Sequence, residues 1–388
     1  MPVDGLPADS SRRLFEPVRV GAVDLPNRIV MAPLGRARAH VETRQPTASV
    51  AVYYAQRATA GLIVSEATHV SAESVSRPGT SAIHDDAHVD AWSRVTRAVH
   101  DAGGRMFQQL FHLGRKADPA RLPGGGLPAG PSPIAAKGQF TTPAGPQPFP
   151  VPRALDVDEI AERVSEFARA ARNSRRAGFD GIELHGANGF LIDQFLRDSA
   201  NRRDDRYGGS IENRARFLLE ILDAVGTAVG FDRVGVRVSP HARVDGTDDS
   251  NPGALFEYVA SRLEERRVAY LHLIEPVDTP AADRLAPRLR RAFRGPLIVC
   301  GGLDRASASE LLAEGDADLV AFGTAYIANP DLVERLRIAA PWNPPDPSTF
   351  YSGGDRGYID YPFLTPGGRQ YHERDRRWTL DSPASARS

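Results

Sequence analysis

His185 and Asn188 stand three positions apart in the stretch IELHGANGFLIDQF, at the end of an apolar run. So placed, they can aim two hydrogen-bond donors at one carbonyl oxygen. Donors fixed around an oxygen that gains negative charge act as an oxyanion hole does, at about 3 kcal/mol each. Two positions further on is Phe190, which has no proton to give. The stretch therefore raises the question of what reaction needs the two donors and where its proton comes from.

Four more residues, Gly35, Ala67, Gln109 and Arg237, fall at or just beyond the ends of other apolar runs. Each alone has a bland reading, since a strand-end His is commonly a satisfied structural group and a strand-end Arg a salt-bridge partner. Their shared placement carries the functional reading. Two further runs end in glycines, Cys300-Gly301-Gly302 and Phe322-Gly323-Thr324. Glycines let backbone N–H groups approach a phosphate, which a following helix start also favours. Tight turns would use the same residues, but two such loops in succession favour a phosphate.

Eight apolar runs read as strands, at 28–32, 61–66, 105–111, 181–185, 234–238, 269–273, 297–299 and 319–322. Several are apolar at successive positions, as in parallel strands covered on both faces. The segments between them read as helices. In the clearest, 156–177, Ile160, Val164, Phe167, Ala168 and Ala171 share a face, Asp156 and Glu159 form a capping box, and Gly178 follows as C-terminal cap. Another helix follows Ser210, with Ala215, Leu218, Leu219 and Leu222 inward. The alternation predicts a (β/α)8 barrel in a single domain over 1–388, with a doubly wound sheet as competitor. In such a barrel the C-terminal strand ends and the loops after strands seven and eight carry the site, as placed above. Residues 116–152, rich in Gly and Pro, read as an excursion over the barrel mouth after the third strand. Residues 342–388 read as a C-terminal extension packed back on the barrel.

With 48 basic and 49 acidic residues, the net charge is −1, which gives no reason to expect nucleic acid or a membrane surface as partner. The single cysteine, Cys300, excludes an intrachain disulfide and fits a reducing cytoplasm, where it is expected to be buried and chemically idle. The start MPVDGLPADSSRRLF lacks a signal-peptide pattern, and no apolar run is long enough to suggest a membrane span. The histidines show no ligand spacing, so no metal is expected. No G-x-G-x-x-G fingerprint follows a strand, which argues against a Rossmann-bound cofactor. A small-molecule substrate and a monomer or homodimer are expected.

The chain resembles the old yellow enzyme family of FMN-dependent ene-reductases over nearly its whole length. The likeness runs through NRIVMAPLGRARA, FQQLFHLGR, VGVRVSP, VCGGL and VAFGTAYIANPDLVERL, and is densest in HGANGFLIDQFLRDSANRRDDRYGGSIENRARFLLEI. It implies a (β/α)8 barrel with FMN across its mouth, NADPH or NADH as transient reductant, and reduction of an activated C=C bond. By that likeness Gln109 would bond the pyrimidine side of the flavin. Arg237 would place charge at its N1–O2 edge, where negative charge collects on reduction. Pro33, Gly35 and Ala67 would give backbone contacts, and Gly301, Gly302, Gly323 and Thr324 would hold the phosphate. His185 and Asn188 would bind the carbonyl oxygen of the substrate.

Four positions depart from the family pattern. Phe190 stands where a proton-donating Tyr is usual, and a general acid is worth about 10²–10⁴-fold. Gly35 replaces a Thr or Cys near flavin O4, Phe111 a frequent Trp in the substrate pocket, and Thr324 a common Arg at the phosphate, unless Arg305 compensates. Water, Tyr351 or Tyr54 are open as proton sources. The cluster of changes points to specialisation, for instance on a bulky secondary metabolite. The leading expectation is NAD(P)H-driven reduction of an α,β-unsaturated carbonyl or iminium. The alternatives are an FMN-dependent isomerase or dehydrogenase, and a barrel that has lost FMN and only binds a ligand.

Overall fold

The computed structural model describes residues 10–74, 77–142 and 145–364. The start of the N-terminal stretch, two positions of the 116–152 excursion, and the end of the 342–388 extension lie outside the described residues.

Eight strands form the barrel: β1 Ile29–Met31, β2 Leu62–Val64, β3 Met106–Phe111, β4 Gly181–Gly186, β5 Val234–Val238, β6 Tyr270–Ile274, β7 Leu297–Cys300 and β8 Leu319–Phe322. All neighbours are parallel. The ring closes where β8 pairs β1 with Phe322 opposite Met31, which excludes the open doubly wound sheet. Apart from half-buried Ile274, every residue of the eight strands is buried, because helices cover the outside and side chains fill the inside.

The helices α1 Ala48–Ala55, α2 Asp86–Asp101, α3 Val157–Arg176, α4 Leu191–Leu196, α5 Ile211–Val229, α6 Pro252–Arg266, α7 Ala286–Ala292, α8 Arg305–Glu314, α9 Thr324–Ala328 and α10 Leu332–Arg337 follow in chain order. Sequence explains where several begin. The Asp156 carboxylate accepts from the Glu159 N–H and the Glu159 carboxylate from the Asp156 N–H, closing the expected capping box on α3. Ser210 caps α5 by accepting from the Asn213 N–H, and Asp85 caps α2 by accepting from the His88 N–H. Gly178, at φ 93°, ends α3 in a conformation few other residues adopt.

Two apolar layers result. One lies between strands and helices and includes Trp92, Phe167, Phe179, Phe217 and Leu263. The other fills the barrel with Val30, Leu62, Phe107, Tyr270, Ile298 and Leu319, joined by Val20, Val23 and Leu25. Those three belong to an antiparallel hairpin, Val18–Val20 with Val23–Leu25, that packs against the residues filling the barrel. Burying each such large side chain stabilises the fold by about 1.5–3 kcal/mol. Gly235 is required inside β5, since a Cβ there would lie 2.2 Å from the Tyr270 ring.

Over the mouth, the excursion carries a second hairpin, Gln139–Thr142 with Gly145–Pro148. Residues 342–364 lie along the barrel wall, where Arg36 donates to the carbonyls of Phe350 and Gly357, and Tyr358 stacks on Tyr53 at 4.2 Å. Among the described residues no helix is long and apolar enough to cross a membrane.

Candidate active site

A cavity of about 790 Å³ opens at the C-terminal ends of the strands. Its floor and walls bring together Pro33, Gly35 and Ala67 with Gln109, Phe111 and Arg237. His185, Asn188, Phe190 and Tyr351 line it too, so ten of the fourteen residues singled out from the sequence share one space. The excursion supplies Lys116, Asp118, Arg121, Phe140 and Phe149, and the loop after β5 supplies Asp245.

His185, next to last in β4, lies opposite Arg237 of β5 and is buried. Burial, then the charges of Arg237 and Lys116, hold its pKa well below the usual imidazole range, so the ring is neutral at pH 7. A neutral imidazole still offers one N–H. Its Nδ1 is buried with no hydrogen-bond partner among the described residues. Asn188 sits at φ 58°, a left-handed conformation that asparagine tolerates better than most residues. Its N–H donates to Ser239 Oγ at 2.9 Å, and the next residue's N–H donates to Asp193 Oδ2 at 2.9 Å. The loop that carries Asn188 along the cavity wall is thereby fixed. Phe190 packs edge-on against His185 at 4.8 Å and against Phe111 at 5.1 Å between ring centres.

Beneath them lies a polar cluster that sequence reading missed. Glu183, fully buried in β4, accepts from Gln109 Nε2 at 2.7 Å, Tyr270 O–H at 3.0 Å and His272 Nδ1 at 2.8 Å. Burial pushes the Glu183 pKa up, but His272 and Arg237 outweigh it and the net shift is downward. His272 is raised, because Glu183 outweighs burial. The result is an ion pair inside the barrel. The bond to Glu183 uses one of the two Gln109 amide N–H groups and holds the side chain in place, leaving the second N–H and the amide oxygen. The available signal was a charged residue in each of two strands that otherwise read as apolar, IELHG and YLHLI.

Arg237 is also buried. Its Nη2 lies 3.3 Å from Cys300 Sγ, and its Nε has no partner among the described residues. Cys300 is buried as expected and accepts from Arg237. Burial raises its pKa, Arg237 and His272 lower it further, and it comes to rest at about 7. A buried guanidinium with an unpaired N–H costs about 1–3 kcal/mol or more unless a ligand accepts from it. The unpaired nitrogens of Arg237 and His185, with the Gln109 amide that Glu183 holds in place, suit a planar ring bearing carbonyls and an edge that gains negative charge, as FMN does.

The remaining four residues do not line this cavity. Gly301 and Gly302 follow β7, and Gly323 and Thr324 follow β8, so paired neighbouring strands bring the two turns side by side. Gly302 and Thr324 are exposed. Gly301 is dictated by packing, since a Cβ there would lie 1.9 Å from the Glu275 carbonyl oxygen. Arg305 offers no compensation for Thr324: its Nε donates to the Leu336 carbonyl and its Nη2 to Ser11 Oγ, both at 2.9 Å. Tyr54 is withdrawn as a proton source, being buried with its hydroxyl accepting from the Glu66 N–H at 2.8 Å. Tyr351 remains at the mouth, with Arg77 4.2 Å from its ring centre. The histidines do show one ligand-like grouping, His84, Asp85 and His88, with an atom from each within 4.8 Å of the others. It lies at the start of α2, outside the cavity, and the Asp85 carboxylate there caps the helix.

Residues 13–343 match the NADH:flavin oxidoreductase / NADH oxidase family. The chain is 44% identical over 359 residues to a probable flavin mononucleotide-dependent alkene reductase of Leishmania infantum, covering 90% of this chain and 97% of that one. It is 42% identical over 360 residues to 12-oxophytodienoate reductase 1 of Oryza sativa subsp. japonica, covering 90% and 93%. Among solved structures, morphinone reductase in complex with tetrahydroNAD superposes with a TM-score of 0.87 at 45% identity, covering 91% and 98%. The old yellow enzyme homologue from Zymomonas mobilis gives 0.87 at 42% identity, covering 90% and 99%. With the closed barrel and the cavity at its C-terminal mouth, these likenesses establish that the chain belongs to the NADH:flavin oxidoreductase / NADH oxidase family, the old yellow enzymes, and is an NAD(P)H-dependent FMN oxidoreductase of the ene-reductase type.

Proposed function

We propose that this cavity reduces an activated C=C bond, with His185 and Asn188 binding the carbonyl oxygen of an α,β-unsaturated substrate. The observation that carries the assignment is the convergence of a neutral, buried His185, Asn188 on its fixed turn, Gln109 and Arg237 on one space. FMN, reduced by NADPH or NADH, supplies the hydride. Gln109 and Arg237 would hold its pyrimidine side, Pro33, Gly35 and Ala67 its ring, and Gly301, Gly302, Gly323 and Thr324 its phosphate. Hydrogen bonds from His185 and Asn188 draw electron density to the carbonyl oxygen, leave the β-carbon electron-poor, and stabilise the enolate as it forms. Neutrality of His185 makes it a donor that does not hand over its own proton. Phe111, Phe140, Phe149, Phe190 and Tyr351 make the walls aromatic, which supports a cyclic or bulky apolar substrate.

Anaerobic reoxidation tests the reading. The protein's flavin is reduced, 2-cyclohexenone is added, and the visible flavin band is followed. Return of the oxidised spectrum with saturated ketone is the expected result. One observation favours a second reading, double-bond isomerisation: the position two past Asn188 is Phe190, which cannot protonate the α-carbon. Its mark would be a product of unchanged mass formed only with flavin present.

A further inference from the structure

The proton missing at Phe190 has a source in this structure. We propose that Lys116 is the general acid that protonates the α-carbon of the substrate. The assignment rests on the reductase reading above.

Lys116 lines the cavity, and its side chain is 11% exposed. Its Nζ stands 4.7 Å from the centre of the Phe190 ring, over the residue that took the place of an acid. An ammonium has three N–H bonds. One donates to Asp245 Oδ2 at 2.5 Å and one to the Asn188 carbonyl oxygen at 3.4 Å. The third has no acceptor among the described residues, and the Phe190 ring and the cavity are what it faces. The bond to the Asn188 carbonyl ties the lysine to the same turn that carries the carbonyl-binding amide. The donor that polarises the substrate and the acid that finishes the reaction therefore share one rigid piece of backbone.

A purely structural role for the Lys116–Asp245 pair would be to fasten the excursion to the loop after β5. Other contacts already do this: the Lys137 N–H donates to the Asp245 carbonyl at 2.8 Å, and Arg115 bridges the Ile134 and Asp245 carbonyls at 3.2 and 3.4 Å. The chemistry also matches. Alkylammonium and phenol have nearly the same acidity in water, roughly 10.4 and roughly 10. An ammonium is thus a proton donor of the same order of strength in water as a tyrosine phenol. In the step, an Nζ–H bond breaks, a C–H bond forms at the α-carbon, and the enolate pair re-forms the carbonyl. The hydride already on the β-carbon comes from the reduced flavin, so the two electrons balance. Lys116 is left as a neutral amine beside Asp245 and regains its proton from water at the open mouth.

The test uses the holoenzyme with 2-methyl-2-cyclohexenone, which acquires a stereocentre at the α-carbon. Flavin reduction by NADPH and flavin reoxidation by the enone are measured separately for the parent, Lys116→Met, Lys116→Arg and Lys116→Ala. The expected result is reoxidation slowed at least about 10²-fold in the Met and Arg variants, with reduction affected far less. Small primary ammonium ions, but not tetramethylammonium, should restore Lys116→Ala in proportion to their concentration. The α-stereochemistry, single-handed in the parent, should be eroded. Lys116→Met reoxidising within about threefold of the parent with unchanged stereochemistry would overturn the assignment, leaving water as the acid. Lys116→Arg at the parental rate would overturn it too, since charge rather than proton transfer would then matter. A parent flavin that stays reduced against the enone would instead sink the reductase reading itself.

Discussion

Glu183→Gln reports on the buried pair beneath the cavity. The substitution preserves shape and one acceptor oxygen but removes the charge opposite His272, whose side chain and that of Glu183 are both 0% exposed. Breaking a buried ion pair from one side costs about 3–5 kcal/mol. The glutamine oxygen, placed where Oε2 was, still accepts from Tyr270 and His272, which places the cost at the lower end, about 3 kcal/mol. The effect should depend on pH. The folded pKa of Glu183 is depressed, so its contribution is present above the unfolded value of roughly 4.3 and fades as pH falls through the folded one. The folded pKa of His272 is raised, so its contribution is complete below the unfolded value of roughly 6.5 and is lost as pH rises through the folded one. The pair therefore stabilises most between about pH 4.5 and 6.5. Urea unfolding of the flavin-free protein, followed by tryptophan fluorescence at about pH 5.5 and about pH 8.5, should show the full gap at the lower pH and a smaller one at the higher. A gap under about 0.5 kcal/mol at the lower pH, or one that grows with pH, would refute the reasoning.

Arg237→Met removes a charge-assisted contact worth about 1.5–3 kcal/mol, so FMN should bind about 10–100-fold more weakly in a flavin-fluorescence titration; unchanged affinity would place the flavin elsewhere. His185→Ala should slow enone-driven flavin reoxidation about 10²–10³-fold in stopped flow, as loss of an oxyanion-hole donor does. Thr324→Arg should tighten FMN about tenfold or more if the turns after β7 and β8 hold the phosphate, and leave it unmoved if they do not. Tyr358→Ala, by emptying the stack on Tyr53, should cost about 3 kcal/mol of stability and loosen residues 342–364, read as faster hydrogen exchange along that segment.

The sequence by itself determined the barrel, because parallel strands sheathed by helices must be apolar on both faces and eight such runs were visible between helical stretches. It also determined which strand ends face the mouth, and that sufficed to bring forward His185, Asn188, Gln109 and Arg237, which share the cavity there. Only the tertiary structure decided the rest, because closure of the barrel joins residues that no local pattern relates. Glu183 and His272 are 89 positions apart and meet inside the ring. Lys116 and Asn188 are 72 apart, and the lysine read merely as the start of a Gly- and Pro-rich excursion until that segment folded over Phe190. Arg305 and Tyr54 looked available in the chain and are not, since each spends its polar group on a backbone partner away from the cavity. Periodicity fixes which face of an element is buried. What a buried polar group meets there is set by the neighbours that closure brings.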